Sequence, residues 1–297
     1  MRILRSVEEL RAALAPARRQ GRSIGLVPTM GALHEGHISL VRTAREQCQV
    51  VVVSLFVNPS QFDELTDLQR YPRDEARDAR VARAAGADFL FAPGPEEVYP
   101  PGFSTTVEVA HLSEPFEGQV RGAGHFRGVA TVVVKLLCMA LPDVAYFGRK
   151  DVQQLLVIRR LVADLNLPVR IEGLATVREP DGLALSSRNA LLSAEQRARA
   201  LGLPAALRRA CELADEGERS VPALLAAVGE VMSSFGLESE YTAIVEPDTL
   251  VPVQELAGEA LLLAAVRVGG VRLIDNMTLA PGSRQSIHVG GVATTLA

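Results

Sequence analysis

The chain is poor in lysine, in cysteine and in long apolar runs. Lys135 and Lys150 are its only lysines, and Cys48, Cys138 and Cys211 its only cysteines, in 297 residues. No apolar run approaches the roughly 20 residues that a membrane-spanning helix needs. The opening Met1-Arg-Ile-Leu-Arg-Ser-Val-Glu-Glu-Leu10 has no signal-peptide core. The expectation is therefore a cytoplasmic protein with no membrane association. An odd number of widely spaced cysteines in apolar or helical sequence reads as buried small hydrophobes rather than a disulfide framework or thiolate metal site. Internal repeats and low-complexity segments are missing too. A net charge of -4 provides no basic surface for nucleic acid, so any positive charge that matters is local. Where arginine is the habitual cation, a lysine stands out, because a compact ammonium does not substitute freely for a planar fork. Lys135, in Val132-Val-Val-Lys-Leu-Leu137, reads as a helical lysine snorkelling from an apolar face, whereas Lys150 falls in a loop after a strand and reads as functional.

The length allows one large domain or two modest ones. Short apolar runs at 23–27, 49–57, 88–92, 143–147 and 169–173 alternate with helical patterns at 36–48, 73–85, 127–140 and 152–164. That alternation predicts an α/β domain over residues 1–176, a Rossmann-like parallel sheet with crossover helices. A Pro- and Gly-rich stretch, 93–113, holds a candidate excursion strand at 105–109. After residue 177 the pattern changes to longer helices at 194–214 and 221–235, then to antiparallel strands around 241–245, 261–268 and 271–274. A smaller α+β domain, 177–297, is expected there.

The richest segment is Val27-Pro-Thr-Met-Gly-Ala-Leu-His34-Glu-Gly-His37, which puts two imidazoles where a strand gives way to a helix. Amide protons at a helix N-terminus attract phosphate, Gly31 and Gly36 permit close approach to the backbone, and either histidine can donate to a phosphoryl oxygen. A bare His-x-x-His also fits a structural pair or a fragment of a metal site; the strand-to-helix setting favours a nucleotide. In an open parallel sheet the ligand lies beyond the carboxyl ends of the strands. The segments around His34, Asn58 and Gly148 all follow strands and converge there. Ser186-Ser-Arg188 offers hydroxyls, amides and a charge to phosphate; taken alone it fits an ordinary helix cap better, and its place at the junction of the two expected domains favours the phosphate.

Five ordered blocks carry a resemblance: Pro28-Thr-Met-Gly-Ala-Leu-His-Glu-Gly-His37, Phe56-Val-Asn-Pro-Ser-Gln-Phe62, Gly124-His-Phe-Arg-Gly128, Phe147-Gly-Arg-Lys-Asp-Val-Gln-Gln154 and Asp181-Gly-Leu-Ala-Leu-Ser-Ser-Arg-Asn189. Together they resemble the pantoate-beta-alanine ligase (pantothenate synthetase) family of the nucleotidylyl transferase superfamily. The resemblance implies that pantoate's carboxylate attacks the α-phosphorus of ATP, giving pantoyl adenylate and pyrophosphate, and that the amine of beta-alanine then releases AMP. A carboxylate nucleophile needs no general base, only alignment and relief of charge repulsion. The resemblance implies His34, His37, Lys150 and Arg188 for that work. It implies Met30, Gly148, Asp151, Val177, Ser186 and Ser187 as further ATP contacts. Pantoate is implied to meet Pro28, Met30, Asn58, Gln61, Arg127, Val129, Val132, Val133 and Gln154. For Pro28, Met30 and the three valines ordinary core packing is an equal reading, and for Arg127 a structural ion pair. Asp67, Tyr71 and Arg73 are implied to brace a crevice loop or a subunit contact, with helix capping the alternative for Asp67. Mg2+ with ATP, metal ligands unassigned, a homodimer, and a second domain that closes over the active site and excludes water also follow from the resemblance.

Two blocks depart from the family pattern. Arg121-Gly-Ala-Gly-His-Phe126 replaces the usual Arg-Pro-Gly-His-Phe and leaves the path of that loop open, and Gly148-Arg-Lys-Asp-Val152 replaces Gly-Glu-Lys-Asp-Tyr, adding positive charge. Two other functions compete. A transferase acting on a phosphate-bearing acceptor would call for Arg or Lys where Gln61 and Gln154 stand. A non-catalytic ATP-sensing domain would need neither Lys150 nor a second substrate pocket. An aminoacyl-tRNA synthetase fits poorly with the length and acidic balance.

Overall fold

The computed structural model describes residues 1–62, 68–69 and 71–281. The chain divides into two compact units, Met1–Arg149 with Gln153–Ala175, and Lys150–Val152 with Thr176–Ala297.

In the first unit, strands β1 (Arg2–Leu4), β2 (Ile24–Thr29), β3 (Val50–Leu55), β4 (Phe89–Phe91), β5 (Val144–Gly148) and β6 (Arg170–Leu174) form one parallel sheet in the order β1-β4-β3-β2-β5-β6. Helices α1 (Val7–Arg19), α2 (Glu35–Gln47), α3 (Glu75–Ala85), α4 (Pro95–Val98), α5 (Glu117–Arg121), α6 (Ala123–Ala140) and α7 (Val152–Asp164) connect them. Val50 to Val53 are all buried, as a parallel strand covered on both faces requires. The strand order reverses at the β2/β5 pair: β3, β4 and β1 lie to one side, β6 to the other. That reversal opens a crevice at the carboxyl ends.

Several expectations change. β2 runs through Pro28 to Thr29, beyond the expected end at residue 27. Its ladder with β5 stops at Leu26, so the proline's missing N–H interrupts no pairing on that side. β1 escaped notice because only Leu4 of its three residues is buried. The segment 105–109 is not a strand; the Val107 amide donates to the Thr131 Oγ1 (2.9 Å) instead of to a ladder. Cys138, expected to be buried, is exposed on the outer face of α6, while Cys48 is buried. Lys135 does not simply snorkel: its Nζ lies 4.4 Å from the centre of the Phe103 ring and 5.8 Å from that of Tyr99. Gly122, at φ +80°, separates α5 from α6, which settles the path of the Arg121 loop and starts α6 four residues before Arg127.

In the second unit β7 (Ser239–Val245), β8 (Ala260–Val268) and β9 (Val271–Leu279) form an antiparallel sheet, with helices α8 (Ala194–Ala200), α9 (Gly202–Glu216) and α10 (Val221–Ser234). Leu203, Leu207, Leu224, Val228, Leu262 and Val266 share its core. The single helix expected over 194–214 is two, because Pro204 lacks an N–H and fits the first turn of a new helix better than an interior. No helix among the described residues is long and apolar enough to cross a membrane.

Candidate active site

The turn after β2 is built around two reciprocal caps. His34 is the N-cap of α2, and its Nδ1 accepts from the Gly36 amide (3.1 Å), while the His37 Nδ1 accepts from the His34 amide (3.4 Å). An Nδ1 that accepts from an N–H carries no proton, so each imidazole keeps its proton on Nε2 as a donor. The rings lie 4.2 Å apart, tilted by 38°. Glycine is required beneath them: a Cβ on Gly36 would come within 2.9 Å of the His34 ring. The preceding residues are held by Asp78, 1% exposed on α3, whose carboxylate accepts from the Ala32 (2.8 Å) and Leu33 (2.9 Å) amides. Sequence reasoning missed Asp78. Its signal was a carboxylate in register with Ala82 and Ala85, on the stripe that α3 buries.

After β3, Asn58 caps a short turn, Pro59–Gln61, and is 1% exposed. Its Nδ2 donates to the Gln61 Oε1 (3.0 Å) and to the Gly128 carbonyl (3.2 Å). Only glycine lets α6 come this near, since a Cβ at 128 would lie 2.3 Å from the Ser60 carbonyl oxygen. The His125 Nδ1 donates to the Gln61 carbonyl (2.9 Å), fixing the backbone of the turn. Gln61 is half-buried, and its Nε2 rests on the Met30 Sδ at 3.3 Å. Met30 and Pro28 are likewise half-buried, next to the His34 turn. Val129, Val132 and Val133 are buried on α6, while Arg127 is exposed, its carbonyl accepting from Thr131. Gln154 is half-buried in the first turn of α7; its neighbour Gln153 is fully engaged with the Leu112, Pro115 and Glu117 backbone. Arg73 donates to the Leu68 and Tyr71 carbonyls, and Tyr71 packs edge-on against Phe62. Asp67 lies outside the described residues.

Gly148 ends β5, across the strand reversal from the end of β2. Lys150 lies two residues further, in a turn that groups with the second unit; its carbonyl accepts from the Asn276 Nδ2 (2.9 Å) on β9. The Lys150 side chain is 21% exposed, with its Nζ 3.8 Å from a carboxylate oxygen of exposed Asp151.

Elsewhere in the second unit, half-buried Val177 accepts from the Leu185 amide, closing a narrow loop that leads to Ser186, Ser187 and Arg188. The Ser186 Oγ accepts from the Arg188 amide (3.3 Å) and opens a five-residue turn, Ser187–Leu191, so the capping geometry is present alongside any phosphate-binding one. The loop is anchored at its base. The Arg178 guanidinium makes a bidentate pair with Asp275 (2.6 and 3.0 Å), their side chains 7% and 0% exposed. Arg197 grips Glu179 and Asp181, and Asn189 donates to Glu179. Burial alone would raise the Asp181 pKa, but hydrogen bonds from Arg197 and the Leu183 amide outweigh it and hold the carboxyl below its usual range.

The family sequence model described as pantoate-beta-alanine ligase matches residues 2–278. The chain is 55% identical over 276 residues to a pantothenate synthetase of Cereibacter sphaeroides, covering 93% of this chain and 98% of that one. The structure of pantothenate synthetase from Thermus thermophilus aligns with a TM-score of 0.89 at 48% identity, over 95% of this chain and 100% of the other. Pantoate-beta-alanine ligase from Francisella tularensis, solved in complex with beta-gamma ATP and beta-alanine, aligns with a TM-score of 0.77 at 34% identity, over 93% and 97% of the two chains.

Proposed function

The chain belongs to the pantoate-beta-alanine ligase family, and from that premise we propose how its residues join pantoate to beta-alanine at the expense of ATP. The reaction runs through pantoyl adenylate and releases pyrophosphate and then AMP. One observation carries the assignment of roles: two imidazoles, each with its Nδ1 facing a backbone amide of their own helix start, stand at the end of β2 where the strand order reverses. His34 and His37 donate to phosphoryl oxygens without bringing the bulk of a guanidinium. Lys150 and Arg188 supply full charges as negative charge moves onto pyrophosphate, with the Ser186 and Ser187 hydroxyls on the outer phosphates. Met30, Gly148, Asp151 and Val177 complete the nucleotide contacts. Gln61 and Gln154 hold the oxygens of pantoate, Asn58 and Arg127 border it, and Pro28, Met30, Val129, Val132 and Val133 face its methyl groups.

No group of three or more His, Cys, Asp or Glu side chains among the described residues is arranged to hold a metal. Magnesium enters this proposal with the substrate, carried on the triphosphate oxygens as that ion commonly is. A cytoplasmic homodimer is part of the same proposal, and sedimentation equilibrium of the purified chain tests the assembly.

The test of the chemistry is product analysis with ATP, pantoate and beta-alanine, leaving out one component at a time. AMP and pyrophosphate should form in step with pantothenate. ATP and pantoate without beta-alanine should exchange labelled pyrophosphate into ATP. ADP and phosphate as products, or no exchange in an enzyme that makes pantothenate, would overturn the adenylate route.

A further inference from the structure

The Gln61 amide is not free to choose which of its two faces meets a ligand. The Gly128 carbonyl can only accept and the Ser60 amide can only donate, so the Asn58 Nδ2 must face Gly128 (3.2 Å) and its Oδ1 must face Ser60 (3.4 Å). With Nδ2 also 3.0 Å from the Gln61 Oε1, the Gln61 oxygen is taken and its NH2 is turned away from Asn58. That NH2 rests on the Met30 thioether, a weak acceptor that a substrate oxygen would readily replace.

Tyr99 stands behind this relay. Its hydroxyl donates to the Asn58 Oδ1 at 2.7 Å, shorter than either hydrogen bond that Asn58 itself donates, and lies 3.1 Å from the Ser60 Oγ. The ring is wedged between Phe56 (centroids 6.1 Å) and Phe103 (5.1 Å), with the Lys135 ammonium over the Phe103 face. Burial holds the phenol's pKa above its ordinary value, so the hydroxyl remains a donor across the working range of pH.

We propose that Tyr99 is a positioning residue for the hydroxy-acid pocket: sharing the Asn58 Oδ1 with the Ser60 amide and the Ser60 hydroxyl (2.8 Å), it reinforces the Asn58 orientation that makes Gln61 a hydrogen-bond donor, and so favours a substrate that presents an acceptor oxygen at that place. Nothing in the role requires Tyr99 to touch substrate. The inference rests on the reading that Gln61 contacts pantoate, and a double-mutant cycle on the full-length enzyme separates the two. Tyr99→Phe keeps the ring and removes the hydroxyl; it should raise the KM for pantoate about three- to tenfold, the scale of one neutral hydrogen bond. The KM for ATP should stay put, and the melting temperature should fall by no more than a few degrees. In a Gln61→Ala background the same substitution should have no further effect on pantoate.

An unchanged pantoate KM in Tyr99→Phe overturns the proposal, as does an equal rise in both KM values with a lowered melting temperature. An undiminished Tyr99→Phe effect in the Gln61→Ala background overturns it too, while leaving Gln61 as a pantoate contact. If Gln61→Ala alone leaves the pantoate KM unchanged, the parent reading fails and takes this inference with it.

Discussion

The His34–His37 turn and the Ser186–Arg188 turn are both capped helix starts, yet they are secured differently. The first opens a 13-residue helix that buries Leu40, Val41 and Ala44, and its donors are neutral. The second opens a five-residue turn whose buried residue is Asn189 and whose Leu191 is 70% exposed, and it carries a full charge on Arg188. A long helix with an apolar stripe fixes its own first turn. A short turn has too little apolar surface to do so, and is fixed by ion pairs at its base. Neutral donors tolerate burial and can be set in advance, whereas desolvating a charge is expensive, so Lys150 and Arg188 both keep some access to water.

The sharpest break of this contrast is at Arg178. Arg178→Met strands a buried Asp275 carboxylate and should cost the second unit about 3–5 kcal/mol, because the loss leaves a buried charge unpaired. Arg178→Met combined with Asp275→Leu should regain most of that stability. Urea unfolding followed by far-UV circular dichroism reads both. If the single variant unfolds like the parent protein, the loop is not held from its base.

Next in size is Lys150. Lys150→Ala should fold normally and lose adenylate formation by about 2.7–4 kcal/mol of barrier, the scale of one electrostatic transition-state contact. Lys150→Arg should recover little of it, since the guanidinium spreads the same charge over a wider plane. Rapid-quench measurement of pantoyl adenylate decides. Near-normal formation in Lys150→Ala would make Lys150 a bystander, and full recovery in Lys150→Arg would leave charge as its only contribution.

The contrast between the two turns also marks what could be read from the residues alone. The sheet strands after β1 were legible because parallel strands covered on both faces are unbroken apolar runs, as Val50 to Val53 are. The His34 turn was legible because its caps, glycines and strand-to-helix setting are local in sequence. Asp78 was not, since it reaches the Ala32 and Leu33 amides from a helix more than 40 positions away. The anchor of the second turn was hidden for the same reason: Arg178 and Asp275 are 97 residues apart. The break at Leu201 went unseen because the apolar stripe continues across it, and only Pro204 marks a fresh helix start. Lys135 was placed on the right helix, but its aromatic partner Phe103 comes from a loop that no periodicity describes.

The smallest effect separates the turns most cleanly, because it removes the same feature from each. Losing a helix cap costs about 0.5–2 kcal/mol. In His34→Ala the loss should appear in global unfolding of the first unit, since α2 is part of its core, and activity should fall as well because the imidazole is gone. His34→Asn restores a capping side chain but no ring nitrogen donor, so stability should return while adenylate formation stays low. Ser186→Ala removes a cap from a five-residue turn and should leave the unfolding midpoint of the second unit nearly unchanged. Its cost should appear as a higher KM for ATP and as faster amide exchange confined to residues 186–191. Equal shifts in unfolding midpoint for His34→Ala and Ser186→Ala would mean that the second turn is as much a part of its core as the first, and the distinction drawn between them would fall.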